Sequence, residues 1–295
     1  MFRAAITLIA RASGTVAPVS RSADNAGEGE VVILSPHFDD AVLSCWQLLE
    51  SPADVTVVNV FGGSPPPGTP VPWWDEATGA TDPVERMRER RMEDRVALAL
   101  AGRAGVALDL LDAQYRHEPL AVATVVARLT DVVASGALVY APAGMSHHPD
   151  HELIRSAAIE MARAGWRLAL YADLPHSIER GWPAWVTGET GQSRLGVAAA
   201  WSRVLAAAGL AEERLVAQVQ ELDAGARERK LRALGAYETQ RPALDEFAFA
   251  PLEDPKVLAW EVSWLVPSAA LRGGTEESGE GLVADVVGQS LDDTC

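Results

Sequence analysis

The chain has 295 residues, 48% of them hydrophobic, and a formal charge of −16 from 41 acidic and 25 basic side chains. That length and apolar share are enough for one large core, while the negative field repels phosphate backbones and anionic lipid surfaces and so argues against a nucleic-acid partner. The two cysteines, Cys45 and Cys295, fall in an apolar helical stretch and at the end of the sequence; a disulfide framework is not expected, and the compartment reads as reducing and cytoplasmic.

Residues 1–28 are small and polar with no sustained period, and residues 271–295 are Gly-rich and acidic, so both ends are expected to be disordered. The opening MFRAAITLIARASG matches a secretory leader only weakly, because Arg11 interrupts a short apolar stretch. No run approaches the roughly 20 apolar residues that span a bilayer, so no integral membrane segment is expected.

Over residues 29–270, read as one domain, apolar runs suited to buried strands alternate with helical patterns. In order these are a strand at 31–35, a helix over 41–50, a strand at 55–61, a helix over 83–102, a strand at DLLD (109–112), a helix over 119–135, a strand at 137–142, a helix over 150–165 and a strand at 167–173. The stretch 213–240 reads as a charged helix with an apolar stripe, and 257–266 as a closing strand. Strand and helix in alternation predict the α/β class, a Rossmann-like three-layer sandwich with a mostly parallel sheet.

In such sheets ligands bind beyond the carboxyl ends of the strands. Five of the six histidines lie there: His37, with Asp39 and Asp40, after the first run; His147, His148 and His151, with Asp150, after the run at 137–142; His176 after the run at 167–173. The Gly/Pro-rich loop after the second run carries Trp73 and Trp74, amphipathic side chains suited to covering an apolar or sugar surface. Trp182 and Trp185 invite the same reading, and Cys45 reads as a small core residue.

Two imidazoles and one carboxylate are a common first shell for a catalytic zinc, which lowers the pKa of a water in its open position to about 7. One ligand pair from each of two neighbouring strand ends, drawn from His37 and Asp40 and from His148, Asp150 and His151, could close such a site. Asp39 diverges from Asp40 and can instead reach the water, as a general base must. Asp150 could favour a protonated histidine, leaving His148 to stabilise an oxyanion or to give a proton to a departing amine. Helix capping is the plain alternative, but it accounts for one aspartate and not for the whole set.

PHFDD, followed about a hundred residues later by HPDH, resembles the PIG-L/LmbE family of zinc-dependent N-deacetylases. FGGSPP, Arg90-x-x-Glu93-Asp94, LYADLP and KLRALGAYETQ follow in the family's order, so the likeness covers roughly residues 29–266. It implies one zinc ion held by His37, Asp40 and His151, with Asp39 as base and His148 paired with Asp150 as the electrophilic or acid partner. It also places Arg90 near the acyl-group site; Trp73, Trp74 and His176 are read as substrate contacts from their own chemistry and their place in the crevice. The implied reaction removes an acyl group, typically acetyl, from the nitrogen of an amino sugar or its conjugate. Phe38 stands where the family usually has proline, and Ser146 where some members have tyrosine. Two other functions fit the same residues: a zinc amidase acting on a non-sugar or thiol-conjugate amide, and a catalytically silent glycan-binding protein.

Overall fold

Val31–Ser35 is apolar up to its last residue and buried at all five positions, as a strand covered on both faces must be. In the computed structural model it is β2 of a sheet that also contains β1 (Val19–Ser20), β3 (Val55–Asn59), β4 (Gly105–Ala107), β5 (Leu138–Pro142), β6 (Arg167–Tyr171), β7 (Val216–Glu221) and β8 (Trp260–Val266). The structure describes residues 19–20, 29–145, 148–179, 181–188, 192–247, 251–254 and 256–271, with 19–20, 192–195 and 246–247 lacking any described side chain. The strand order is β1-β7-β8-β6-β5-β2-β3-β4. Every neighbouring pair is parallel except those of β8, which runs antiparallel to β6 and β7.

The helices are α1 (Asp40–Ser44), α2 (Trp46–Leu49), α3 (Trp73–Ala77), α4 (Pro83–Leu100), α5 (Val122–Thr130), α6 (Pro149–Arg163), α7 (Ala184–Thr187), α8 (Gln192–Ala207), α9 (Ala224–Leu234) and α10 (Arg241–Phe247). Crossovers between parallel strands are right-handed, so connections that leave β2 and β5 toward opposite edges lay their helices on opposite faces. Accordingly α1 and α4 pack with α9, while α6 packs on β5 and β6 with α5. This is the expected α/β class.

Several elements depart from the sequence reading. The strand expected at 109–112 lies earlier, at β4, because Gly105 lets the backbone close on its neighbours: a Cβ there would stand 3.0 Å from Asn59 Nδ2 and from a Leu98 methyl. The expected helix over 41–50 breaks at Cys45, whose φ of −133° and ψ of 29° are not helical. The stretch 213–240 is not one helix: Val216–Glu221 is β7, hydrogen-bonded along β8, and the helix starts only after Asp223, whose side chain accepts from Ala226 N at 2.7 Å. Within the expected disordered ends, Val19–Ser20 pair with β7 and Leu271 closes a 3-10 turn; the remaining residues there lie outside the described ones.

The FGG turn shows why its glycines stand there. A Cβ on Gly63 would be 2.4 Å from the Asp109 carbonyl oxygen, backbone that cannot swing aside. Gly63→Ala is therefore expected to cost about 1–3 kcal/mol, read as a lower denaturant midpoint at constant slope. Another tie buries Lys230 completely. Its Nζ lies 2.6 Å from Glu261 Oε1, and the same carboxylate accepts from Trp46 N and Gln47 N, joining α9, β8 and α2.

Candidate metal centre and active-site cavity

β2 and β5 are adjacent, yet the chain leaves β2 for β3 on one side and β5 for β6 on the other. The crevice at such a switch point is where α/β sheets bind ligands. The HFDD turn and the HPDH helix start both open onto it.

After β2 the chain turns into α1. Asp39 occupies the N-cap position but makes no side-chain capping bond, so its carboxylate is not spent on the helix. Asp40 does have a local partner, accepting from His37 N at 2.8 Å, and its oxygens also face two imidazoles. His37 Nδ1 lies 3.4 Å from Asp40 Oδ2, and His151 Nε2 lies 3.5 Å from Asp40 Oδ1. Each ring turns its other nitrogen to a further carboxylate: His37 Nε2 to Asp150 Oδ2 at 3.2 Å, His151 Nδ1 to Asp173 Oδ1 at 2.9 Å. Carboxylate, imidazole and an inward-facing second nitrogen form the relay that orients histidine ligands of metals.

His148 completes a set of three imidazoles whose nitrogens lie within 4.8 Å of one another. It is the N-cap of α6, and its Nδ1 accepts from Asp150 N at 3.3 Å. Sequence reasoning paired the Asp150 carboxylate with His148. In the structure that carboxylate is taken by His37, Arg116 and Ala113 N instead, and the contact with His148 runs through the Asp150 backbone.

Charge follows from this packing. Burial works against ionised Asp40, but His151 and His37 outweigh it and hold the carboxyl well below its ordinary range. Burial likewise opposes charge on His37, yet Asp112, Asp150 and Asp40 raise that imidazole well above its usual value. His151 is raised too, by Asp40 and Asp173 against the effect of burial. Asp39 goes the other way: burial, joined by the Asp40 charge, pushes its carboxyl up to about 6. Burial, with His37 and His151 alongside, pushes His148 down to about 4, so its neutral imidazole prevails at neutral pH. The protonated His148 considered from sequence is therefore not what this packing favours.

The site opens into a cavity of about 340 Å³ whose lining includes Leu43, Trp73, Trp74, Met87, Arg90, Asp112, Leu174, His176 and Leu244. Trp73 and Trp74 sit on α3, a helix in what sequence reads as a loop, with ring centroids 6.0 Å apart and Trp73 64% exposed. Asp75 follows them into the protein, where its buried carboxylate takes Arg90 Nη2 at 2.8 Å and Tyr115 Oη at 2.5 Å. Arg90 is buried with its Nε lacking a partner, and it lines the cavity. Trp182 and Trp185 do not line it; they stack with Trp201, Trp260 and Trp264 in an aromatic cluster. Cys45 is buried in the core, as expected. His147 and Ser146 lie outside the described residues.

Asp112 and Arg116 were not singled out by sequence reasoning, and Asp173 was placed at a strand end facing the crevice without a role. Asp112 Oδ1 stands 3.9 Å from His37 Nε2, and Arg116 lies over the Phe61 ring at 4.9 Å while bonding Asp150. Asp112 and Asp173 each lie beyond the end of a strand, which was a usable signal; Arg116 gave none.

No family model and no curated protein matches this sequence. Solved structures do. A deacetylase–bog complex from the biosynthesis pathway of teicoplanin superposes with a TM-score of 0.60 at 23% identity, covering 80% of this chain and 97% of that one. The zinc-inhibited form of teicoplanin deacetylase gives 0.60 at 22%, with the same coverage. The A40926 pseudoaglycone deacetylase gives 0.59 at 29%, covering 80% and 96%. The chain shares their fold. Among the described residues no helix is long and apolar enough to cross a membrane.

Proposed function

We propose that residues 29–270 form a PIG-L/LmbE-type hydrolase domain that uses one zinc ion to remove an N-acyl group, acetyl in the first instance, from an amino-sugar conjugate. The observation that carries this reading is the pair of carboxylate-backed imidazoles, His37 on Asp150 and His151 on Asp173, both facing the buried Asp40. Two neutral imidazoles and one carboxylate are a donor set that suits zinc, and the charges these groups otherwise hold by sharing protons are those a divalent cation would balance. His37, Asp40 and His151 would hold the ion. Bound there, it supplies Lewis-acid polarisation of the acyl oxygen and a water of lowered pKa.

The chain's own groups do the rest. Asp39, free of capping duty and poised at about 6, accepts the proton of the attacking water and has a proton to return to the departing amine. His148 accepts at Nδ1 from Asp150 N, which places the ring proton on Nε2, ready to donate to the oxygen that gains charge. Arg90 offers a buried donor in the cavity wall, fixed by Asp75. Trp73, Trp74, Met87, Leu174 and Leu244 line the apolar part of the cavity, and His176 stands beside them, so the conjugate is a sugar with an apolar attachment. The fold shared with deacetylases of teicoplanin and of the A40926 pseudoaglycone supports a glycosylated natural product as its class.

The test is release of free amine from N-acyl amino-sugar glycosides, set beside a non-sugar amide and a thiol-conjugate amide. Activity should appear on the glycosides, vanish with a chelator and return on titrating zinc back. Turnover confined to the non-sugar amides overturns the substrate class; turnover undiminished by a chelator that strips all metal overturns the mechanism.

A further inference from the structure

Arg90-x-x-Glu93-Asp94 and KLRALGAYETQ are far apart in sequence and meet in the fold. Glu93 takes Thr239 N at 2.7 Å and Thr239 Oγ1 at 2.9 Å, which pins the turn after α9 to α4. Two residues before Thr239, the fully buried Tyr237 hydroxyl lies 2.9 Å from the Phe38 carbonyl oxygen and 3.0 Å from Asp94 Oδ1. A phenol has one proton and cannot donate to both. Both contacts are satisfied only if one acceptor brings a proton of its own, and a carbonyl cannot.

We propose that Asp94 is a neutral carboxylic acid that donates to Tyr237, which donates in turn to the Phe38 carbonyl, and that this chain is a positioning device aiming Asp39 and Asp40. Phe38 lies between His37 and Asp39, so fixing its carbonyl fixes the peptide from which both aspartates project. Its ring is held as well, packed with Met87 and Tyr115 beneath the cavity, which is the role of a bulky residue at this position.

The surroundings of Asp94 suit the neutral form. β3 contributes Asn59, whose Nδ2 donates to Asp94 Oδ2 at 2.8 Å, and β4 contributes the uncharged Gly105. The start of α1 contributes Asp39, a like charge. On α4 itself the nearby cations are turned elsewhere, Arg90 to Asp75 and Arg91 to the Gly62 carbonyl. Burial, with the Asp39 charge alongside, pushes the Asp94 carboxyl up to about 7 against the opposing effect of its Tyr237 and Asn59 contacts.

The positioning role rests on the function proposed above; the protonation of Asp94 does not, so the two are measured separately. Asp94→Asn mimics the neutral acid, with an amide that can donate to Tyr237 while its oxygen accepts from Asn59. An unfolded aspartate titrates near 3.9, and the folded carboxyl retains its proton to about 7. Ionisation therefore costs the wild type stability as pH rises through that window. Thermal unfolding from pH 4 to 9 should show the melting temperature of Asp94→Asn rising relative to wild type between about pH 4 and 7 and levelling off above. A difference that stays constant, or that narrows as pH rises, overturns the neutral acid. In turnover assays Tyr237→Phe and Asp94→Leu should lose about 10- to 100-fold in kcat at unchanged KM and metal content, and Asp94→Asn should recover most of it. Equal losses in Asp94→Asn and Asp94→Leu, or an unchanged kcat in Tyr237→Phe, overturn the positioning role. If no substrate is turned over, the proposed function falls and the melting curves still decide the state of Asp94.

Discussion

Asp39→Asn is expected to lose about 100- to 10,000-fold in kcat while binding its metal as the wild type does. The substitution keeps shape and removes one function. Asp39 stands at the N-cap of α1 without capping it, so the loss is not a loss of helix. It is not among the groups that His37 and His151 face, so the metal site keeps its donors. What disappears is a buried carboxylate able to take a proton, and an amide cannot replace that capacity. Single-turnover rates, together with metal content on the same sample, check it. A rate within a few-fold of wild type would remove Asp39 from the mechanism, leaving Asp150 or Asp112 as the carboxylates to examine.

The sequence made the crevice legible because strand, turn and helix are local events, and a switch point places local motifs side by side. His37, Asp39 and Asp40 follow β2, and His148, Asp150 and His151 follow β5, so two short readings met at one place. What was not legible depends on packing between distant segments. DLLD reads as a strand from its leucines, whereas β4 forms at Gly105–Ala107, where a glycine leaves α4 and β3 room to pack closely on it. Val216–Glu221 carries polar alternation that a charged neighbourhood disguised as a helix face, and its partner β8 is some forty residues further on. Trp182 and Trp185 look the same in sequence as Trp73 and Trp74, yet the first pair fills the core beside β8 and the second lines the cavity. Asp150 was recognised, but not the group its carboxylate bonds. Proximity in sequence suggested His148; the fold brings His37 to its carboxylate across 113 residues.

That exchange of partners bears on which histidines hold the ion, since His37, His148 and His151 all lie within reach of one another. His151→Ala is expected to abolish both stoichiometric metal binding and turnover, whereas His148→Ala should keep the metal and lose turnover alone. The distinction comes from what backs each ring. His151 has Asp173 behind its Nδ1, and Asp173 is itself fixed, its other oxygen accepting from Met145 N at 2.5 Å. At His148 the Nδ1 accepts from a backbone N–H, which holds the ring at the head of α6, whereas Nδ1 of His151 meets a carboxylate. Asp173→Asn supplies the graded case. Both of its present partners can donate, so an amide can accept from one and must turn its own N–H groups toward the other. Metal affinity should then fall about 10- to 100-fold, with turnover recovering at high metal. Calorimetric titration of the three variants with zinc, with turnover assayed on the same samples across metal concentration, measures all of this. Metal retained in His151→Ala and lost in His148→Ala would move the third ligand to His148, and with it the assignment of the group that faces the oxyanion.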